Sequence, residues 1–159
     1  LPAKDKKTPA RYQHLAKDNI TVVPLADDAG HARIIAGRFG SADGAAETFT
    51  ELNVWDIVLN SGAGADLDVP ASHNLMLVVL RGEVRINGGQ SVQASQMATF
   101  ERESGSVKVE AVGGEAKILL LSGVPIDEPV VGYGPFVMNT EAEIAEVMNE
   151  FRSGKFGAV

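Results

Sequence analysis

The sequence predicts an all-β domain, an antiparallel barrel or sandwich, carrying one C-terminal α-helix. Three observations predict it. Short β-branched and apolar runs recur at intervals of about 8–12 residues with turn residues between them. Asn87-Gly88-Gly89 and Gly113-Gly114 supply tight hairpin turns, where the backbone must accept positive φ. The hydrophobic period switches from that of a strand to that of a helix only once, after Thr140.

The central stretch is Pro70 to Gly89. Its apolar run Leu75-Met76-Leu77-Val78-Val79-Leu80 reads as a strand buried on both sides, and the alternating Glu83-Val84-Arg85-Ile86 as a strand with one wet face. Before it, Leu1 to Lys17 is polar and basic-leaning around Pro2 and Pro9, and reads as an arm or linker over residues 1–17. Ile20–Leu25 and His31–Ala36 read as strands around an Asp27-Asp28-Ala29-Gly30 turn, and Gly37–Gly44 as a Gly-rich loop. Phe49–Leu59 alternates, with Leu52, Val54, Ile57 and Leu59 as candidate inward residues and Trp55 as core or barrel wall. Gln90–Phe100, Ser106–Val112 and Glu115–Leu121 give three more strands. The barrel thus covers residues 18–132.

Residues 133–159 form the C-terminal segment, with the helix at about 140–153. Thr140-Glu141-Ala142-Glu143 is a capping box, in which the Thr140 hydroxyl accepts from the Glu143 amide and the Glu143 carboxylate reaches back. Ile144, Val147, Met148 and Phe151 fall on one face, which is expected to dock on the barrel. Gly154 suits a left-handed stop.

Composition bounds function. The 159 residues suffice for one ordinary domain, and 45% apolar content fits a globular core. A net charge of −7 argues against direct nucleic-acid binding, and no apolar run is long enough for a membrane span. The chain has no cysteine, which excludes disulfides, thiolate metal sites and a cysteine nucleophile.

His73 after a proline loop, the strand that follows, and Leu80-Arg81-Gly82-Glu83-Val84-Arg85-Ile86 resemble the first signature region of a cupin. That resemblance implies a cupin-type antiparallel β-barrel, the double-stranded β-helix or jelly roll. Metal-bearing cupins carry a second His where this sequence has Leu75, and a Glu where it has Val78-Val79-Leu80. The later region, Val92 to Phe100, has no His at all. A catalytic first-row metal needs three or more converging imidazole or carboxylate ligands, and one His cannot supply them.

Tyr133-Gly134-Pro135-Phe136-Val137-Met138-Asn139-Thr140, the helix, and Gly154-Lys155-Phe156-Gly157 resemble the end of proteins of the pirin family. Leu1-Pro2-Ala3-Lys4-Asp5-Lys6 with Arg11-Tyr12-Gln13 resembles that family's connection between its two cupin halves. The resemblance implies a C-terminal, metal-free half. Its partner would be an N-terminal cupin half holding iron, or another divalent metal, through three His and one Glu. It also implies two readings of function. One is a dioxygenase that opens quercetin-like flavonols, with this half structural or covering the site. The alternative is a non-enzymatic, protein-binding regulator of transcription-cofactor type. Either is expected in the cytoplasm, and in a eukaryote also in the nucleus. Leu1 in place of Met, and the apolar Tyr133–Met138 and Phe156, suggest a surface that the other half covers.

No catalytic, cofactor-binding or metal-binding residue is assigned within the chain. His73 reads as a hydrogen-bonded structural residue. His14 lies in the arm and His31 at a turn edge, while Glu101, Glu103 and Glu110 read as solvated charges. No Ser-His-Asp spacing or nucleophile elbow is present.

Overall fold

The computed structural model describes residues 1–102 and 105–156. Glu103 and Gly157 therefore lie outside the described residues. Two compact units are present: Arg11–Pro125, and Leu1–Ala10 together with Ile126–Val159.

In chain order the first unit contains β1 (Thr21–Pro24), β2 (Gly30–Ala36), β3 (Arg38–Phe39), β4 (Ala42–Asp43), β5 (Leu52–Leu59), β6 (Gly64–Asp68) and β7 (Asn74–Arg81). It continues with β8 (Glu83–Ile86), β9 (Ser91–Gln93), β10 (Met97–Phe100), β11 (Ser106–Ala111) and β12 (Ala116–Gly123). A six-stranded antiparallel sheet runs β1-β2-β5-β12-β7-β10, and a four-stranded sheet runs β6-β11-β8-β9. This is a cupin jelly roll of two antiparallel sheets with the core between them. Asn87 and Gly88 at φ 49° and 69° make the predicted tight turn after β8, and Gly113 at 73° makes the one before β12.

The core is built from alternate residues of each strand: Ile34, Trp55, Ile57, Leu77, Ile118 and Leu120 are all at most 1% exposed. Three expectations are corrected, the first two by strand parity. In β5 the inward set is Asn53, Trp55, Ile57 and Leu59; Leu52 and Val54 are half-buried and lie on the other side of the strand. In β7 only Leu75, Leu77 and Val79 are buried, so the run is not covered on both faces among the described residues. Gln90–Phe100 is two strands, because Ser95 takes φ 68° and breaks the extended run. The Gly37–Gly44 stretch holds the short β3–β4 pair, and β6 follows Gly62-Ala63 as a strand that the sequence reading passed over.

The second unit holds β13 (Val131–Tyr133), β14 (Phe136–Met138) and α1 (Glu141–Arg152). The helix packs on this hairpin: Met138, Ile144 and Val147 are buried together, with Val131, Phe136 and Met148 against them. Phe151 is a correction. It is 56% exposed, because it sits at the edge of the buried stripe, where its ring meets those of Phe136 and Phe156 at centroid distances of 5.8 and 6.4 Å. Phe151→Ala should therefore cost less than about 1 kcal/mol, as surface changes do. Val147→Ala should cost roughly 1–3 kcal/mol, since it removes buried methyls and leaves a gap. Urea melts compare the two directly.

The capping box forms as the sequence predicts. Thr140 Oγ1 accepts from the Glu143 amide at 3.2 Å, and Glu143 Oε2 accepts from the Thr140 amide at 2.8 Å. Hydrogen bonding from the Asn139 amide, and then from Thr140, holds the Glu143 carboxyl below its usual range. A depressed folded pKa stabilises only above the unfolded value, so this contribution is present at neutral pH and is lost as pH falls through the carboxylate range. Thr140→Ala should cost about 1 kcal/mol at neutral pH. The protection of the Glu143 amide against exchange, relative to its intrinsic rate at each pH, should fall on acidification in the native chain and lose that pH dependence in Glu143→Gln. Among the described residues no helix is long and apolar enough to cross a membrane.

Candidate functional site

Three of the four buried polar residues of the first unit, Asn53, His73 and Ser122, gather at one end of the six-stranded sheet, on its core side. There β5, β12 and the loop before β7 lie side by side, with Asn53 opposite Ser122 and Gly123 opposite Asn74 in the ladders. Asn53 and Ser122 are each 7% exposed and His73 is 3% exposed. Sequence alternation places Asn53 and Ser122 inward because Trp55, Ile57, Ile118 and Leu120 share their parity.

Buried polar groups must find partners, and most of these do. Asn53 Oδ1 accepts from the Arg38 amide at 2.9 Å, and Asn53 Nδ2 donates to Ser122 Oγ at 2.9 Å. Ser122 Oγ lies 3.3 Å from His73 Nδ1. The arrangement that uses every proton has the Ser122 hydroxyl donating to Nδ1, which leaves the His73 proton on Nε2. Nε2 has no hydrogen-bond partner among the described residues, and it faces the exposed Glu51 carboxylate at 3.6 Å. The His73 amide donates to the Pro70 carbonyl at 2.9 Å, which closes the loop that carries the ring.

A hydrogen-bonded chain Arg38–Asn53–Ser122–His73 therefore ties the entrance to β7 to the ends of β5 and β12, with the Glu51 carboxylate beside it. The donor set does not fit iron. It offers one imidazole, whose Nδ1 is engaged by a hydroxyl, beside an amide and a single exposed carboxylate. Among the described residues no three His, Cys, Asp or Glu side chains cluster closely enough to hold a metal ion. Sequence reasoning singled out His73 and missed Asn53, Ser122 and Glu51. The available signal was a polar residue at an inward position of an otherwise apolar strand.

The other candidates lie apart from this chain. His14 is exposed in the segment before Lys17, and His31 sits in β2 opposite Pro24 and Val58. Glu101 is exposed. Glu110 lies 3.0 Å from Lys108 Nζ and raises that ammonium's pKa by accepting its hydrogen bond.

The outer face of the large sheet is the more unusual surface. One row across it reads Val22, Arg33, Asp56, Leu119, Val78 and Met97. The next row carries Val54, Leu121, Met76 and Thr99. Asp56 is held by Lys117 at 3.1 Å and by Arg33 at 3.4 Å, so the β2–β5 side is charged. The β12–β7–β10 side is apolar: Leu119, Leu121, Met76 and Val78 are half-buried, while Leu80 and Met97 are 49% and 56% exposed.

Residues 54–157 match the pirin C-terminal cupin domain. The chain belongs to the pirin family. The crystal structure of a quercetin 2,3-dioxygenase from Acinetobacter baumannii is 42% identical, with a TM-score of 0.90 over 99% of this chain and 55% of that one. Pirin-like proteins of Caulobacter vibrioides and Solanum lycopersicum are 34% and 31% identical, over 98% and 99% of this chain and 56% and 54% of their own lengths. The chain thus spans about half the length of the pirin relatives it matches, and it is their C-terminal cupin half.

Proposed function

We propose that this pirin chain is the scaffold half of a two-cupin dioxygenase that opens quercetin-like flavonols, working in the cytoplasm. The iron or other divalent metal belongs to the N-terminal cupin half, held there by His and Glu side chains, and supplies the oxygen chemistry. This half holds no part of the metal shell and positions or covers the site. Support for the activity comes from the dioxygenase named for the 42%-identical structure.

The observation that carries the structural role is the apolar side of the large sheet. A strand as uniformly apolar as Leu75–Leu80 normally lies in a sheet covered on both faces. Here Met76, Val78, Leu119 and Leu121 are left half-open, as contiguous apolar patches are at interaction sites. The second half of a protein of the relatives' length is the occupant that this reading assigns to that face.

Quercetin loss, followed by absorbance, tests the reading on the intact two-half protein with iron and after chelation. Iron-dependent loss is expected, and Val78→Asp with Leu121→Asp should reduce it while iron content is kept. An intact, iron-loaded protein that leaves quercetin untouched would overturn the enzymatic reading in favour of the protein-binding one. Unchanged activity in the doubly substituted protein would overturn the role of the sheet face.

A further inference from the structure

The second unit buries little apolar surface for its size, and it contains a cavity. The arm Leu1–Ala10 is tied to the C-terminal segment by polar contacts. The Ala3 amide donates to Glu128 at 2.7 Å, and Lys7 Nζ reaches Glu146 at 2.5 Å and Glu150 at 3.7 Å. Lys155 Nζ meets the same Glu150 oxygen at 2.5 Å. The Lys7 ion pairs and the Ala3 hydrogen bond hold the arm along the C-terminal segment. They do not fill the space between the two.

That space is an open cleft of about 560 Å³ between arm, hairpin and helix, within the roughly 300–1,000 Å³ of small-ligand sites. Met138 and Val147 form its floor, and Pro9, Ala10 and Phe156 its walls. Its mouth carries Lys6, Lys7 and Lys155 against Glu150. Adding Glu146, three ammonium groups face two carboxylates. Lys6 is the one outside an ion pair: its Nζ donates to the Val137 carbonyl at 3.4 Å and lies within 4 Å of no carboxylate among the described residues, while Glu143 feels its charge at longer range.

We propose that this cleft binds a small apolar carboxylate, with its carboxyl group at Lys6 and its apolar body against Met138, Val147 and Phe156. The apolar walls disfavour a bare inorganic anion, which would lose its hydration with few hydrogen bonds in return. The Lys6 ammonium, which is outside any ion pair, disfavours an apolar cation at the mouth. An apolar body with one negative end meets both conditions. Its source is an aryl acid or a fatty acid, and the two share this chemistry.

The test titrates the 159-residue chain with 2-naphthoate and with decanoate, using calorimetry and methyl NMR of Met138 and Val147. Saturable one-to-one binding that shifts both methyl sets is expected. Tighter 2-naphthoate binding assigns an aryl acid, and tighter decanoate binding a fatty acid. The neutral analogue 2-naphthalenemethanol should bind about tenfold more weakly, the scale of one charge-assisted contact. Lys6→Gln should weaken naphthoate by a similar factor, whereas Lys17→Gln should not. Ala10→Trp should fill the cleft and abolish binding with the NMR spectrum of the β-sandwich unchanged. Absence of saturation into the millimolar range, equal binding of the neutral analogue, or indifference to both Lys6→Gln and Ala10→Trp would each overturn the proposal.

Discussion

Trp55→Ala should lower the unfolding free energy by about 3–5 kcal/mol, the range for truncating a large buried aromatic. Trp55 is 1% exposed in the middle of β5, and its ring meets Phe39 edge-on at 4.9 Å. Truncation removes transfer energy, leaves a cavity and strands Phe39 without its partner. Trp55→Phe should behave differently. The indole N–H has no acceptor among the described residues, so phenylalanine removes an unpaired buried donor along with some volume. The two effects oppose each other, and the net cost should stay under about 1.5 kcal/mol. Urea denaturation followed by circular dichroism decides it, since the only tryptophan is itself the residue changed. Equal losses for the two variants would show that the site is not close-packed.

Gly30→Ala is the second large effect expected. Gly30 has φ 138° at the first position of β2, paired with Leu59. A methyl group there would lie 2.0 Å from the Val58 carbonyl oxygen, a backbone atom fixed by the ladder. Backbone strain and steric displacement add, for a loss on the order of 3 kcal/mol or more. Gly62→Ala is the control. Gly62 also has positive φ, at 70°, but open space where the methyl would go, so only the conformational term of about 1–2 kcal/mol applies. Similar melts for the two would show that the β2–β5 ladder yields around Gly30.

The sequence made the strands and turns legible where one local signal dominated. Asn87-Gly88 and Gly113 admit few backbone alternatives, and Thr140 with Glu143 is a self-contained hydrogen-bonded device. Strand faces were harder. Leu52 and Val54 are as apolar as Ile57 and Leu59, and only the register with β12 shows that the parity runs through Asn53 and Trp55. Phe151 failed for a related reason: helical spacing defines a stripe, but the width of the stripe depends on what packs against it, here a three-residue-per-strand hairpin. The site was legible only through His73, since its partners Ser122 and Glu51 are brought in by pairing across long sequence separations. The uncovered face of Leu75–Leu80 was invisible in sequence. A continuous apolar run looks the same whether the second cover comes from the same unit or from another.

The pairing of Leu1–Ala10 with Ile126–Val159 in one compact unit has a mechanical consequence. In sequence, the 115 residues of Arg11–Pro125 lie between the two strips of that unit. A pulling force applied at Leu1 and at the C-terminal end therefore loads the Lys7–Glu146 and Ala3–Glu128 contacts first. These are side-chain attachments that separate one at a time, whereas the β5–β12–β7 ladder resists in parallel. In an optical trap the chain should extend in two rips, an early low-force release of the arm and a later high-force release of the sheets. Raised salt should lower the first force and leave the second nearly unmoved.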